Sequence, residues 1–276
     1  MIITIEIFMF AIIAGFLGSL LGLGGGIIIT PALTILMGID IKYAIGASLI
    51  SVIATSSGSA IAYLRDKITN VRVGMFLETA TTTGALTGAF IAGLVDPKYL
   101  FIIFGMLLLY SAFNMFKRRK QELPAYVEPQ HLAIKLNLNS EYYDKALGKK
   151  VSYNVTGIQK GFGMMYIAGV ISGLLGIGSG IFKVLAMDTF MKLPMKVSTA
   201  TSNFMIGVTA AASAGIYLSR GNIDPAIAAP VALGVLTGAT IGTRIMPHLK
   251  STTLRIIFIP ILIYISIEMI IKGVKL

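Results

Sequence analysis

The stretch SLLGLGGGIII at Ser19–Ile29 returns 154 residues later as GLLGIGSGIFK at Gly173–Lys183, and the correspondence runs on without a gap. Ala14 and Gly15 meet Ala168 and Gly169, while Tyr63 and Leu64 meet Tyr217 and Leu218. Gly84 and Gly88 meet Gly238 and Gly242, and Tyr110 meets Tyr264. Each of the two copies is apolar for most of its length and is broken once by glycines. That is the layout of a helical membrane protein whose interrupted helices line a polar site.

Composition points the same way. With 55% hydrophobic and 13% charged residues and a mean hydropathy of +0.84, 276 residues cannot enclose their apolar surface in a water-soluble core. The chain has no cysteine, which excludes disulfides, thiolate metal sites and thiol nucleophiles, and only two histidines. No metal or cofactor is expected. The net charge of +11 lies mainly in short loops and one linker, so it reads as a topology signal and not as a nucleic-acid surface. No basic region precedes Ile2–Phe16, so that segment is expected to stay as a membrane helix.

Ten apolar pieces can be marked: Ile2–Leu21, Ile27–Met37, Tyr43–Leu64, Val73–Leu94, Tyr99–Phe116, Met164–Leu175, Ile181–Met191, Val197–Leu218, Ala226–Met246 and Ile256–Ile271. A helix needs about 20 residues to span the hydrocarbon core. Ile27–Met37 and Ile181–Met191 are near half that, so they are expected to be half-helices entering from a break, each pair forming either a re-entrant hairpin or two tilted short crossings. The expected fold is an all-α polytopic membrane protein with two homologous repeats. Each has a glycine-broken first helix pair followed by three transmembrane helices. Repeat 1 covers 1–116, a linker 117–160, and repeat 2 161–276.

An odd number of crossings per repeat makes the two repeats inverted. The linker holds nine basic residues, beginning with Lys117, Arg118, Arg119 and Lys120, and is expected to be cytoplasmic. An inverted pair then places Arg65, Lys67, Arg72, Lys192, Lys196, Arg244, Lys250 and Arg255 inside as well. Lys42, Lys98, Arg220, Lys272 and Lys275 fall outside. Period-two alternation at Leu132, Ile134, Leu136 and Leu138, and again at Val151, Tyr153 and Val155, predicts a small β-hairpin in this linker.

Candidate chemistry gathers at the breaks. Gly24, Gly25, Gly26, Gly178 and Gly180, with Ser179, bare the backbone, and half-helix N-termini aimed at that point favour an anion. Close helix packing is the alternative use of these glycines. Lys183 follows the second break inside an apolar run, where repeat 1 has Ile29. A cation there is disfavoured unless an anion shares the site; snorkelling, or pairing with Asp188 or Glu78, is the other reading. The run Ser198–Asn203, with Thr201, Ser202 and Asn203, opens a helix equivalent to the one opened by Ala44–Leu49 with Ser48. Small hydroxyls there can cap the helix or donate to an oxyanion. Capping accounts for Ser198 or Thr199 more readily than for Ser202 and Asn203, one turn inward. Glu78 is read as a proton carrier or as the partner of Arg72 in an interfacial salt bridge.

LGLGGGIIITPAL at Leu21–Leu33 with IGAS at Ile45–Ser48, and LLGIGSGIFKVLAM at Leu174–Met187 with KVSTATSNF at Lys196–Phe204, resemble the paired motifs of the TauE/SafE sulfite-exporter family. The resemblance covers nearly the whole chain except the linker. It implies a multi-pass transporter of the cell membrane, not an enzyme, that moves sulfite, organosulfonates or related small sulfur-containing anions. Repeat 2 departs from the motif with Ser179 opposite Gly25 and Leu185 opposite Pro31. No G-x-x-x-x-G-K-[ST] run occurs, so transport is expected to be secondary, with a proton or sodium ion as coupling partner if coupled. A passive anion channel is the alternative. An intramembrane serine hydrolase on Ser179 would need a base beside it, and neither histidine is placed to serve.

Overall fold

The computed structural model describes residues 2–117, 127–128, 130–176, 178–249 and 251–275. The basic cluster Arg118, Arg119 and Lys120, together with Lys250, lies outside the described residues.

Both halves run through the same elements at the same offset. Repeat 1 has α1 (Ile2–Leu21), a break, α2 (Gly26–Pro31) with a π-turn (Ala32–Leu36), α3 (Ile41–Arg65), α4 (Val71–Ala92) and α5 (Pro97–Lys117). A short α6 (His131–Lys135) and strands β1 (Ser140–Asp144) and β2 (Lys149–Tyr153) form the linker. Repeat 2 has α7 (Ile158–Leu175), a break, α8 (Gly180–Leu185) with a π-turn (Ala186–Phe190), α9 (Met195–Ser219), α10 (Pro225–Ile245) and α11 (Ser251–Lys275). Among the described residues, five helices are long and apolar enough to cross a membrane. The π-turn recurs in repeat 2, where Leu185 replaces Pro31, so proline is not its cause.

Two boundaries differ from the sequence reading. Helix α7 begins at Ile158, well before the apolar run at Met164, because exposed Gln159 and Lys160 and two glycines mask its first turns. The alternation at Leu132–Leu138 is not a strand: His131–Lys135 is a helical turn. The hairpin pairs Ser140–Asp144 with Lys149–Tyr153 in antiparallel register, so only Val151 and Tyr153 of the alternating residues lie in it.

Equivalent helices pack through equivalent glycines. A Cβ on Gly84 or Gly88 of α4 would lie 2.2 Å from the Tyr166 carbonyl or 2.0 Å from that of Val170 on α7. At the matching positions on α10, a Cβ on Gly238 would lie 1.9 Å from the Ile12 carbonyl of α1, and one on Gly242 2.7 Å from that of Phe16. In lipid, helices gain nothing by hiding apolar surface from each other, so backbone-close packing supplies the attraction. Gly88→Leu is therefore expected to lower the stability of the detergent-solubilised protein by about 1–3 kcal/mol. Gly163→Ala, on the same helix pair but facing open space, should leave the thermal midpoint unchanged or slightly raised.

Two central helices, α3 and α9, run antiparallel. Gly46 near the start of α3 abuts Asn222 just past α9, whereas Ser56 Oγ further along donates to the Asn203 carbonyl at 2.7 Å. The first helix pair of repeat 2 is a hairpin that returns to the side it left. The Thr156 N–H before α7 donates to the carbonyl of Met191, just past the π-turn, and the Met191 side chain covers Gly161.

The linker hairpin docks on that side through a buried ion pair. Lys196 Nζ, in the first turn of α9, lies 2.7 Å from Asp144 Oδ1 and also donates to the Pro247 carbonyl. Asn70 caps α4 through its Oδ1 and donates from Nδ2 to the Leu138 carbonyl and the Tyr153 hydroxyl. Burial raises the Asp144 carboxyl, but the Lys196 hydrogen bond and charge, with the Leu147 N–H and Tyr142 hydroxyl, more than reverse it and hold it below the usual carboxylate range. A carboxyl depressed by folding contributes stability above its unfolded value of about 3.9, and that contribution is lost as pH falls through the lower folded value. Proteolysis within the linker is thus expected to accelerate only below about pH 4, and Lys196→Met should make it fast at neutral pH.

Candidate functional site

The two breaks share one backbone geometry. Gly22, Gly24 and Gly25 have φ of 74°, 77° and 69°, and their counterparts Gly176, Gly178 and Ser179 have 64°, 68° and 54°. Left-handed backbone is costly for any residue with a Cβ, so Ser179 keeps the turn at some expense. Its hydroxyl donates to the Gly178 carbonyl at 2.7 Å.

The breaks meet. A Cβ on Gly180 would lie 2.2 Å from the Gly22 carbonyl and 2.5 Å from Leu23 Cα; one on Gly26 would lie 2.6 Å from Ser48 Oγ and 3.2 Å from the Gly176 carbonyl. Ser48 Oγ donates to the Gly176 carbonyl at 2.7 Å, and its counterpart Ser202 Oγ donates to the Gly22 carbonyl at 2.6 Å. Each serine on a central helix thus satisfies a carbonyl in the opposite repeat's break. Gly24 and Gly178 both pack on Val52. Gly24, Gly26, Ser48, Gly178, Gly180 and Ser202 therefore form one cluster.

Other sequence candidates sit elsewhere. Gly25 faces the Ala14 carbonyl and Thr55. Thr201 Oγ1 accepts the Asn70 N–H at 3.0 Å, which ties it to the α3–α4 loop. Asn203 Nδ2 donates to the Ser19 carbonyl at 2.9 Å and to that of Thr199, so it anchors α9 to the last turn of α1. Tyr63 and Tyr217 donate at matching positions, to the carbonyls of Ser19 and Gly173.

Beside the break, between α4, α8 and α9, lies a charged cluster. Lys183 is fully buried and Glu78 is 8% exposed; Lys183 Nζ stands 3.2 Å from Glu78 Oε2 and donates to Thr209 Oγ1. Thr209 in turn donates to Glu78 Oε1 at 2.5 Å. Thr81 and Thr82 donate to Oε2 and Oε1, each at 3.0 Å. Arg72 instead donates to the Asn137 carbonyl. Thr209 was not singled out in the sequence, although the spacing Ser202/Thr209 repeats that of Ser48/Thr55 and marks a hydroxyl stripe on both central helices.

A cavity of about 310 Å³ opens at the far ends of these helices. Lys42, Ile45, Tyr217, Arg220 and Asn222 line it. Arg220 donates to the carbonyls of Ala89 and Phe90 at 2.7 and 3.0 Å. Ile45 separates the cavity from the break, since a Cβ on Gly176 would strike its side chain at 2.4 Å.

A duplicated apolar helical bundle with touching broken helices and a buried ion pair defines a polytopic membrane protein with an internal polar site. The chain belongs to the sulfite exporter TauE/SafE family, whose model matches residues 7–269. It is similar to the probable membrane transporter protein YunE of Bacillus subtilis, with 28% identity covering 95% of this chain and 96% of that one. YdhB of the same organism, also a probable membrane transporter protein, is 27% identical over 90% and 91% of the two chains. A probable membrane transporter protein of Xylella fastidiosa is 24% identical over 92% and 91%. No solved structure matches. The protein is a membrane transporter, and the family and relatives' names describe no enzyme.

Proposed function

We propose that this transporter moves sulfite, an organosulfonate or a related small sulfur-containing oxyanion by alternating access, with the anion held where the two breaks meet and Lys183 closes one side. The observation that carries the reading is Lys183 itself: a fully buried cation on the half-helix that follows the break. A buried charge is retained in a membrane where it binds or moves something. Gly178 and Gly180 allow a ligand to approach the backbone beside it, and Ser48 and Ser202 exchange carbonyl partners for oxyanion contacts when the breaks part. Asn203, Thr201, Gly24, Gly25, Gly26 and Ser179 shape that region. Glu78 is the candidate for proton coupling.

In this reading the repeats are inverted, an arrangement supported by the antiparallel run of α3 and α9. The hairpin side is cytoplasmic in the cell membrane, because Arg65, Lys67, Arg72, Lys192 and Lys196 adjoin the linker while Lys42, Lys98 and Arg220 lie at the opposite helix ends. The segments 1–116, 117–160 and 161–276 then act as repeat, tether and repeat. The cavity at Lys42 is the outer vestibule.

Contact between the two breaks, with no room for one Cβ at Gly180, favours a carrier over a passive anion channel. Sulfite and methanesulfonate flux into proteoliposomes should saturate and be accelerated by the same anion on the opposite side. Non-saturating conductance without that acceleration would establish the channel instead, and silence for both anions would remove the anion reading.

A further inference from the structure

The charged cluster at Lys183 has no counterpart in the other half of the duplicated bundle. At the positions equivalent to Lys183, Glu78 and Thr209, the other half carries Ile29, Ala232 and Thr55. The Tyr63 and Tyr217 hydrogen bonds, which tie helices together, recur in both halves; the Lys183–Glu78 pair does not. Here the ammonium lies against a carboxylate beside the place where the transport reading puts an oxyanion.

Resting on that reading, we infer that the Glu78 carboxylate is a tethered stand-in for the transported anion: anion and Glu78 compete for Lys183, and Glu78 takes up one proton whenever the anion displaces it. The exchange balances. Lys183 ammonium paired with Glu78 carboxylate, plus a monovalent anion and a proton from water on the open side, becomes Lys183 ammonium paired with the anion and Glu78 carboxylic acid. The net charge of the buried site is zero before and after. A buried carboxylate whose cation has been taken is the arrangement the interior tolerates least, and protonation relieves it.

The hydroxyls around Glu78 are built for such a change. Thr81 Oγ1 has a second acceptor in the Glu78 carbonyl at 3.2 Å, and Thr209 Oγ1 has one in the Met205 carbonyl at 3.3 Å. Each of these two can turn to backbone once the carboxyl is protonated. Other charged groups on the surrounding elements are at helix ends. Arg72 on α4 holds the Asn137 carbonyl, and Lys160 on α7 is exposed. Lys196 on α9 holds Asp144, and Arg220 past its end caps α4. Asp188 lies in the π-turn after α8, with Lys192 just beyond. Among the described residues, Lys183 forms its ion pair with Glu78.

The consequence is obligatory movement of one proton with each anion. A monovalent sulfonate is then carried electroneutrally, driven by a pH gradient and indifferent to membrane voltage.

The test uses the full chain and needs no variant for its first arm. Methanesulfonate added to the purified protein in lightly buffered detergent solution should draw about one proton per anion bound, and apparent affinity should weaken about tenfold per pH unit on the alkaline side. Binding without proton uptake overturns the inference and leaves the anion site standing. In proteoliposomes, a pH gradient should drive methanesulfonate flux in the wild type. Glu78→Gln should abolish that drive, make anion binding independent of pH and make flux respond to an imposed voltage. A pH-driven flux unchanged in Glu78→Gln likewise overturns the inference. Absence of binding by both sulfite and methanesulfonate removes the anion reading itself, and this inference with it.

Discussion

Lys183→Ala is expected to abolish transport and to destabilise the protein by about 3–5 kcal/mol, the usual cost of removing one partner from a buried ion pair. The loss comes from Glu78, 8% exposed, which without its cation must either keep a charge among three threonine hydroxyls or take up a proton. The double variant Lys183→Ala with Glu78→Ala removes the stranded carboxyl and should recover most of that stability without recovering flux. Thermal unfolding in detergent and flux in proteoliposomes, measured on both variants, separate the two roles. A Lys183→Ala protein that transports normally would show that the pair is only structural.

Gly180→Ala should have the second large effect. Its Cβ would lie 2.2 Å from the Gly22 carbonyl and 2.5 Å from Leu23 Cα. These are backbone atoms in a turn that cannot rotate away. Gly26→Ala is the informative comparison, because its nearest obstacle is Ser48 Oγ at 2.6 Å, the end of a side chain that can change rotamer. Overpacking against backbone costs about 1–3 kcal/mol or more, so Gly180→Ala should unfold earlier and transport little. Gly26→Ala should lose less of both. Equal losses would mean that the breaks act independently and not through their mutual contact.

Much of this architecture could be read in the chain before any coordinates. The offset between Gly26 and Gly180 is the offset between the starts of α2 and α8 and between those of α3 and α9, because a duplicated hydrophobic pattern repeats its helix ends. Where local pattern weakened, so did the reading. The first turns of α7 are polar and glycine-rich, and the alternation at Leu132–Leu138 fits a helical turn as readily as a strand until tertiary contacts choose. Composition hid the conformation of Ser179, since a left-handed serine is not distinguishable from any other.

The site divided along the same line. That Lys183 needs an anionic neighbour followed from its apolar surroundings. Which carboxylate supplies it did not, because Glu78 is 105 positions away and reaches it only through the packing of α4 against α9. Thr209 was overlooked as one more hydroxyl on a helix. Thr201 and Asn203 share a run with Ser202, yet a helix turns about 100° per residue. One faces the α3–α4 loop and another the end of α1, and only Ser202 meets the opposing break.

The chain contains no cysteine, so a single introduced thiol can report on the place where the breaks meet. Ser202→Cys replaces the hydroxyl by a slightly larger thiol, a weaker donor, at a fully buried position that only an opened site exposes. In membranes, its alkylation by a maleimide should proceed slowly and be suppressed by methanesulfonate with the same half-saturation as transport. Alkylation that ignores saturating anion, or a thiol that is never reached while transport continues, would contradict an anion site between the two breaks.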